Sequence, residues 1–96
     1  FNADVLNELK AVKAQQQELH NDFADMRRSQ ILHFNNELIR KTPKHTKEEF
    51  VEILHIIDVY EKYCTDHPDY SNTRAVHAIA NIQRAYDKCM IDGDFL

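Results

Sequence analysis

The side chains able to do chemistry in this chain are few and scattered. His20, His33, His45, His55, His67 and His77 never stand four residues apart, so no helix face presents two of them to one metal ion. Cys64 and His67 form a Cys-x2-His fragment, but a structural zinc site takes four ligands and no second pair completes it. No metal or cofactor is expected. Asp66, His67 and Asp69 are near neighbours that could poise a proton-transfer group, although acidic turns with a histidine serve far more often as caps and hydrogen-bonded corners. There is no Gly-rich phosphate loop, no nucleophile elbow and no His-Glu-x-x-His helix. The expectation is a protein that is not an enzyme.

Composition points the same way. Ninety-six residues with 43% hydrophobic content have room for one modest core. One glycine, two prolines and no tryptophan argue against β-sandwiches and barrels, which need turn residues every few positions. Two cysteines are too few for a disulfide scaffold. No stretch approaches the roughly 20 apolar residues that cross a bilayer. Because the sequence opens at Phe1 and not at a methionine, an upstream segment is expected, one that could have carried a signal or an anchor.

The net charge of −4 gives no reason to expect non-specific binding to nucleic acid or membranes, but the charge is unevenly placed. Residues 1–26 carry two basic and five acidic groups, residues 27–47 six and one, and residues 48–96 four and ten. In the middle section Arg27, Arg28, Arg40, Lys41, Lys44 and Lys47 are candidate contacts for phosphates of nucleic acid or lipid headgroups. The plainer reading is that Arg40 to Lys47 neutralise a helix C-terminus and pair with the acidic remainder of the chain.

Helices must position all of these groups. Val5, Leu9, Val12, Gln16, Leu19, Phe23 and Met26, continued by Gln30 and His33, follow one another at alternating spacings of four and three. This heptad register puts Leu9, Gln16 and Phe23 at a and Val5, Val12, Leu19 and Met26 at d, the pattern of a left-handed coiled coil. Its alternative is an amphipathic helix packed on its own domain. From Ile31 the apolar face widens through Leu32, Phe34, Leu38 and Ile39, as in a helix entering a core, and Thr42-Pro43 stops it. Thr46-Lys47-Glu48-Glu49 is a capping box that opens a second helix. Its apolar face is Phe50, Ile53, Leu54, Ile57, Tyr60, Glu61 and Cys64, and His67-Pro68 ends it. Asn72 is the expected cap of a third helix whose face is Val76, Ile79, Ile82, Gln83, Tyr86 and Met90, with Gly93 at its C′ position. Tyr63, His67, Tyr70 and Asn72 make a candidate turn or interface between the last two helices. Cys64 and Cys89 would sit at opposite ends of that pair, roughly 20 Å apart by helical rise, too far for a disulfide.

From Asp25 to Leu96 the chain resembles small helical proteins encoded by bacterial phages and prophages. The likeness rests on Arg28, Ile31, Leu32, Phe34 and Leu38, on His45-Thr46-Lys47-Glu48, and above all on Tyr63-Cys64-x-x-His67-Pro68-x-Tyr70-x-Asn72. Tyr60-Glu61-Lys62, Ala75-Val76, Ile82, Tyr86, Lys88-Cys89 and Phe95-Leu96 extend it. Such proteins have a membrane-spanning N-terminus followed by a coiled coil, so the resemblance implies a phage setting and a membrane tether. It implies no activity.

The reading is therefore all-α: a long N-terminal coiled-coil helix running into a three-helix arrangement with a C-terminal antiparallel helical hairpin. Residues 1–30 are the oligomerisation segment and 31–96 the helical domain, with helices over about 31–41, 47–66 and 73–91. The expected partners are a second copy of the chain, an unidentified host or phage protein, and a membrane reached through the missing N-terminal segment. Nucleic acid on the basic 27–47 segment is the alternative. The expected location is the host cytoplasm or the cytoplasmic face of its membrane.

Overall fold

A computed structural model of the chain describes residues 3–70 and 73–96. It is all-α, with α1 at Ala3–Arg40, α2 at Lys47–Asp66 and α3 at Val76–Asp92, and no strand among the described residues. The 38 residues of α1 include no glycine or proline and many are good helix formers such as Ala, Leu, Gln and Glu, so nothing local interrupts the helix. At 1.5 Å per residue α1 is about 57 Å long, which accounts for most of the molecule's 66 × 19 × 19 Å extent.

α1 ends at Arg40 in a left-handed turn. Lys41 has φ 61°, its amide donates to the Leu38 carbonyl, and the Thr42 amide reaches back to the Glu37 carbonyl. These two bonds satisfy carbonyls that the helix end leaves open. The capping box that opens α2 is complete: the Thr46 hydroxyl accepts from the Glu49 amide at 3.1 Å while the Glu49 carboxylate accepts from the Thr46 amide at 2.9 Å. α2 then runs back along α1, with Phe50 against Phe34 at one end and Tyr63 hydrogen-bonded to Asn21 at the other. α3 returns in α1's own direction. Tyr70, just before it, lies at Asp25, Asn81 donates to Asn35, and Asp94 beyond it pairs with Lys44. Gly93, at φ 63°, closes α3, and its amide donates to the Cys89 carbonyl.

α2 and α3 run in opposite directions but lean mainly on α1, and touch each other little. The core lies at their common junction, where Ile31, Phe50, Ile57, Tyr60 and Ile82 are enclosed. α1 supplies Ala24, Ile31 and Phe34 to the buried set. Packing against α1 reaches back to Asn21 and Ala24, inside the segment read as coiled coil, and α1 continues through residue 30 without a break. Every residue from 3 to 20 is exposed. No described helix is long and apolar enough to cross a membrane.

Some members of the expected faces lie outside the packing, though Ile31, Phe34, Ile79 and Ile82 are buried. Ile39 is 65% exposed, and in α3 Val76, Gln83 and Met90 face outward. The buried face of α3 keeps the expected Ile79 and Ile82, with Tyr86 half-buried, and adds Ala78, preceded by buried Ala75, with Ala85 and Cys89 half-buried. α3 also starts later than 73: Ala75 occupies its N-cap position and makes no side-chain cap. Asn72, the expected cap, lies outside the described residues.

The two left-handed helix ends make opposite predictions. An L residue at such a φ costs roughly 1–2 kcal/mol that glycine does not, so Lys41→Gly should raise the melting temperature by a few degrees. Gly93→Ala should lower it by a similar amount; its new Cβ would meet nothing within 4 Å, so the loss is one of backbone strain alone. Thermal denaturation followed by circular dichroism reads both. A Lys41→Gly protein that melts lower would contradict the left-handed end of α1.

Candidate functional site

Two surfaces of α1 carry the candidate residues, and they lie on roughly opposite sides of the helix. One is the heptad seam. Val5, Leu9, Val12, Leu19, Phe23 and Met26 are between 46 and 60% exposed, and Gln16 between them is exposed too. With 3.6 residues per turn, these positions share one stripe, while Ala24 and Ile31 point to the other side, where α2 and α3 pack. The chain's own helices therefore leave the seam uncovered. At its edge a groove of about 370 Å³ opens between α1 and α2, lined by Phe23 and Arg27 on one wall and Val59, Lys62, Tyr63 and His67 on the other.

The second surface is a tyrosine corner, where the end of α2 and the residues after it meet a polar stripe of α1. The Tyr63 hydroxyl donates to Asn21 Oδ1 and accepts from Gln17 Nε2. The Tyr70 hydroxyl donates to Asp25 Oδ1 at 2.5 Å, while the Arg28 guanidinium lies 5.6 Å from the centre of the Tyr70 ring and 3.2 Å from Asp25. The His67 ring stacks on Tyr63 at 4.0 Å, and its Nδ1 lies 2.9 Å from the Tyr63 carbonyl. That contact takes Nδ1 as donor, so the histidine closes the end of α2, to which its backbone amide is also bonded. Tyr63, Tyr70 and buried Tyr60 meet edge to face. A cleft of about 440 Å³ lies beside them, lined by Gln17, Asn21, Asp66, His67, Pro68 and Asp69 together with Tyr70. Tyr63, His67 and Tyr70 are thus brought together; Asn72 lies outside the described residues.

The six basic residues are not brought together. Arg27 and Arg28 sit beside the tyrosine corner, while Arg40, Lys41, Lys44 and Lys47 cluster at the far end of α1, about 18 Å along the helix. Arg28 is paired with Asp25, and Lys44 Nζ is 2.8 Å from Asp94. Beside that second group lies buried His45, stacked on Phe34 at 4.1 Å. Its Nδ1 is 3.2 Å from Glu49, and Glu37 lies 3.5 Å from Nε2 without forming a hydrogen bond. The Thr46 amide, and then His45, hold the Glu49 carboxyl below its ordinary value. The amide of Leu96 donates to the His45 carbonyl, which fastens the C-terminal tail over this end. Both cysteines are free thiols, and no cluster of metal-ligating side chains occurs among the described residues.

Gln17, Asn21 and Asp25 escape a reading of the sequence that looks for chemistry or apolar periodicity. Their signal is present all the same: with Arg28 they form a polar stripe at spacings of four, four and three, on the side of α1 away from the seam.

The corner predicts a pH response. Burial, and next the bond to Asp25, push the Tyr70 phenol far above its ordinary 10.0; burial also raises Tyr60 and Cys64. Each group keeps its proton to higher pH in the folded chain than in the unfolded one. Their contribution is therefore whole below the unfolded values and is lost as pH rises through the thiol and tyrosine range. Urea midpoints should fall between about pH 8 and about pH 11. Tyr70→Phe should cost about 1 kcal/mol at neutral pH and show a shallower alkaline decline. Equal slopes for both proteins would mean that Tyr70 is not held in its neutral form.

Comparison with family models, with curated proteins and with solved structures returns no match to this chain.

Proposed function

We propose that this chain is a non-catalytic interaction module of phage type that self-associates through the seam of α1 and presents α2, α3 and the tyrosine corner to a host or phage protein. The observation that supports it is the uncovered seam. Six large apolar side chains are half exposed at the 3.5-residue spacing of a coiled coil, on the side of α1 away from its own packing. A contiguous apolar stripe of this kind marks a protein contact surface. Covering the exposed half of each side chain would contribute on the order of 1 kcal/mol per residue. The resemblance to phage proteins supports a place in the host cytoplasm or at the cytoplasmic face of its membrane. The basic residues fit nucleic acid less well, since they fall into two groups and Arg28 and Lys44 already have carboxylate partners.

Sedimentation equilibrium tests the proposal. The wild-type chain should sediment as a multiple of its 11.3 kDa. Leu9→Glu combined with Leu19→Glu, at two positions that the chain itself leaves exposed, should sediment as the monomer with the tyrosine corner intact. A wild-type chain that stays monomeric at every concentration would sink the proposal.

A further inference from the structure

The charges that flank the seam say how two copies meet. With Leu9, Gln16 and Phe23 at a, the g positions are Glu8, Gln15 and Asp22 and the e positions beside them are Lys13, His20 and Arg27. One flank is acidic and polar, the other basic. Glu8, Lys13 and Asp22 are exposed, Arg27 is half-buried, and none of these four forms an ion pair within the described residues.

In a parallel, in-register pair of helices each g residue faces the e residue five positions later in the other copy, and these contacts set orientation. Glu8 then meets Lys13 of the second copy, Gln15 meets His20, and Asp22 meets Arg27, each contact occurring twice. In an antiparallel pair g faces g and e faces e, so acid meets acid and base meets base. The seam itself agrees. Parallel pairing sets Gln16 against Gln16, where two carboxamides can hydrogen-bond, whereas antiparallel pairing sets a against d and buries Gln16 among Val12 and Leu19. A polar pair at an a position also fixes register.

We infer that the seam of α1 is occupied by a second copy of this chain in parallel, in-register orientation, held by Glu8–Lys13 and Asp22–Arg27 pairs. This inference rests on the self-association proposed above and specifies its geometry. Both copies then carry α2 and α3 at the same end, and the groove formed by Phe23, Arg27, Val59 and Lys62 lies beside the second copy's Asp22 flank.

The test uses the full chain at low ionic strength, where such pairs are least screened. In the parallel pair Glu8→Lys brings an ammonium group against Lys13 twice and should weaken dimerisation on the order of tenfold. The double exchange Glu8→Lys with Lys13→Glu restores opposite charges and should recover wild-type affinity. In an antiparallel pair the introduced ammonium would instead approach Asp22, so a Glu8→Lys chain that associates more tightly overturns the parallel geometry and leaves self-association standing. A second measurement is independent of charge. Val5→Cys, with Cys64→Ala and Cys89→Ala, should form an interchain disulfide on oxidation. Bridging only between Val5→Cys and Phe23→Cys chains mixed together would again overturn the orientation. A wild-type chain that does not associate at all overturns the underlying reading.

Discussion

The fold turns on the burial of one side of α1 by two helices that do little for each other. Ile31, wholly enclosed, sits where α1, α2 and α3 converge, and Phe34 carries the same contact onto Phe50 and His45. Because α2 and α3 lean mainly on α1, the long helix is the scaffold and the other two are its cladding. Most helical stability in a protein comes from packing of an amphipathic face, so α2 and α3 are stable as far as they have α1's apolar side to cover. The same dependence leaves the part of α1 before Gln17 exposed on every side among the described residues.

Both ends of the packed region are fastened by polar contacts of long sequence separation. At the lower end the capping box fixes the start of α2, and the Leu96 amide on the His45 carbonyl, with Phe95 against Phe50 and Tyr86, folds the tail over it. At the upper end the phenols of Tyr63 and Tyr70 tie the exit of α2 to Asn21 and Asp25. Tyr60 shows what enclosure costs: its hydroxyl is buried without a hydrogen-bond partner among the described residues, beside the Cys64 thiol and the Arg28 guanidinium. Burying a hydroxyl in this way is unfavourable, and the burial of the Tyr60 ring, fully enclosed, works against that cost.

What can be read from the sequence divides along physical lines. The all-α class, the capping box at Thr46, the stop at His67 and the left-handed Gly93 depend on a few adjacent residues, and their signals are local. In α3 the larger apolar residues mark only part of the face: Ile79 and Ile82 are buried as their spacing implies, while small Ala75 and Ala78, which carry a weaker apolar signal, complete it. Ile39 and Val76 mislead for the converse reason: an apolar side chain at the edge of a face has no neighbour to bury it. The tyrosine corner is half legible. Tyr63, His67 and Tyr70 cluster in sequence, but their acceptors on α1 lie more than 40 residues away, and only the polar stripe Gln17, Asn21, Asp25 hints at them. The basic segment looks continuous in sequence because a linear count ignores that α1 separates its two ends.

The length of α1 also governs how the molecule moves through water. A compact chain of this size would have a radius of gyration of about 12 Å, against the 18.0 Å of this one. A rod 66 Å long and 19 Å across meets somewhat more friction than a sphere of equal mass. A single copy would therefore elute from a sizing column ahead of an 11.3-kDa globule, at the volume of a larger particle. Its tumbling is anisotropic, slow about the short axes and fast about the long one, so amide vectors aligned with α1 relax differently from those across it.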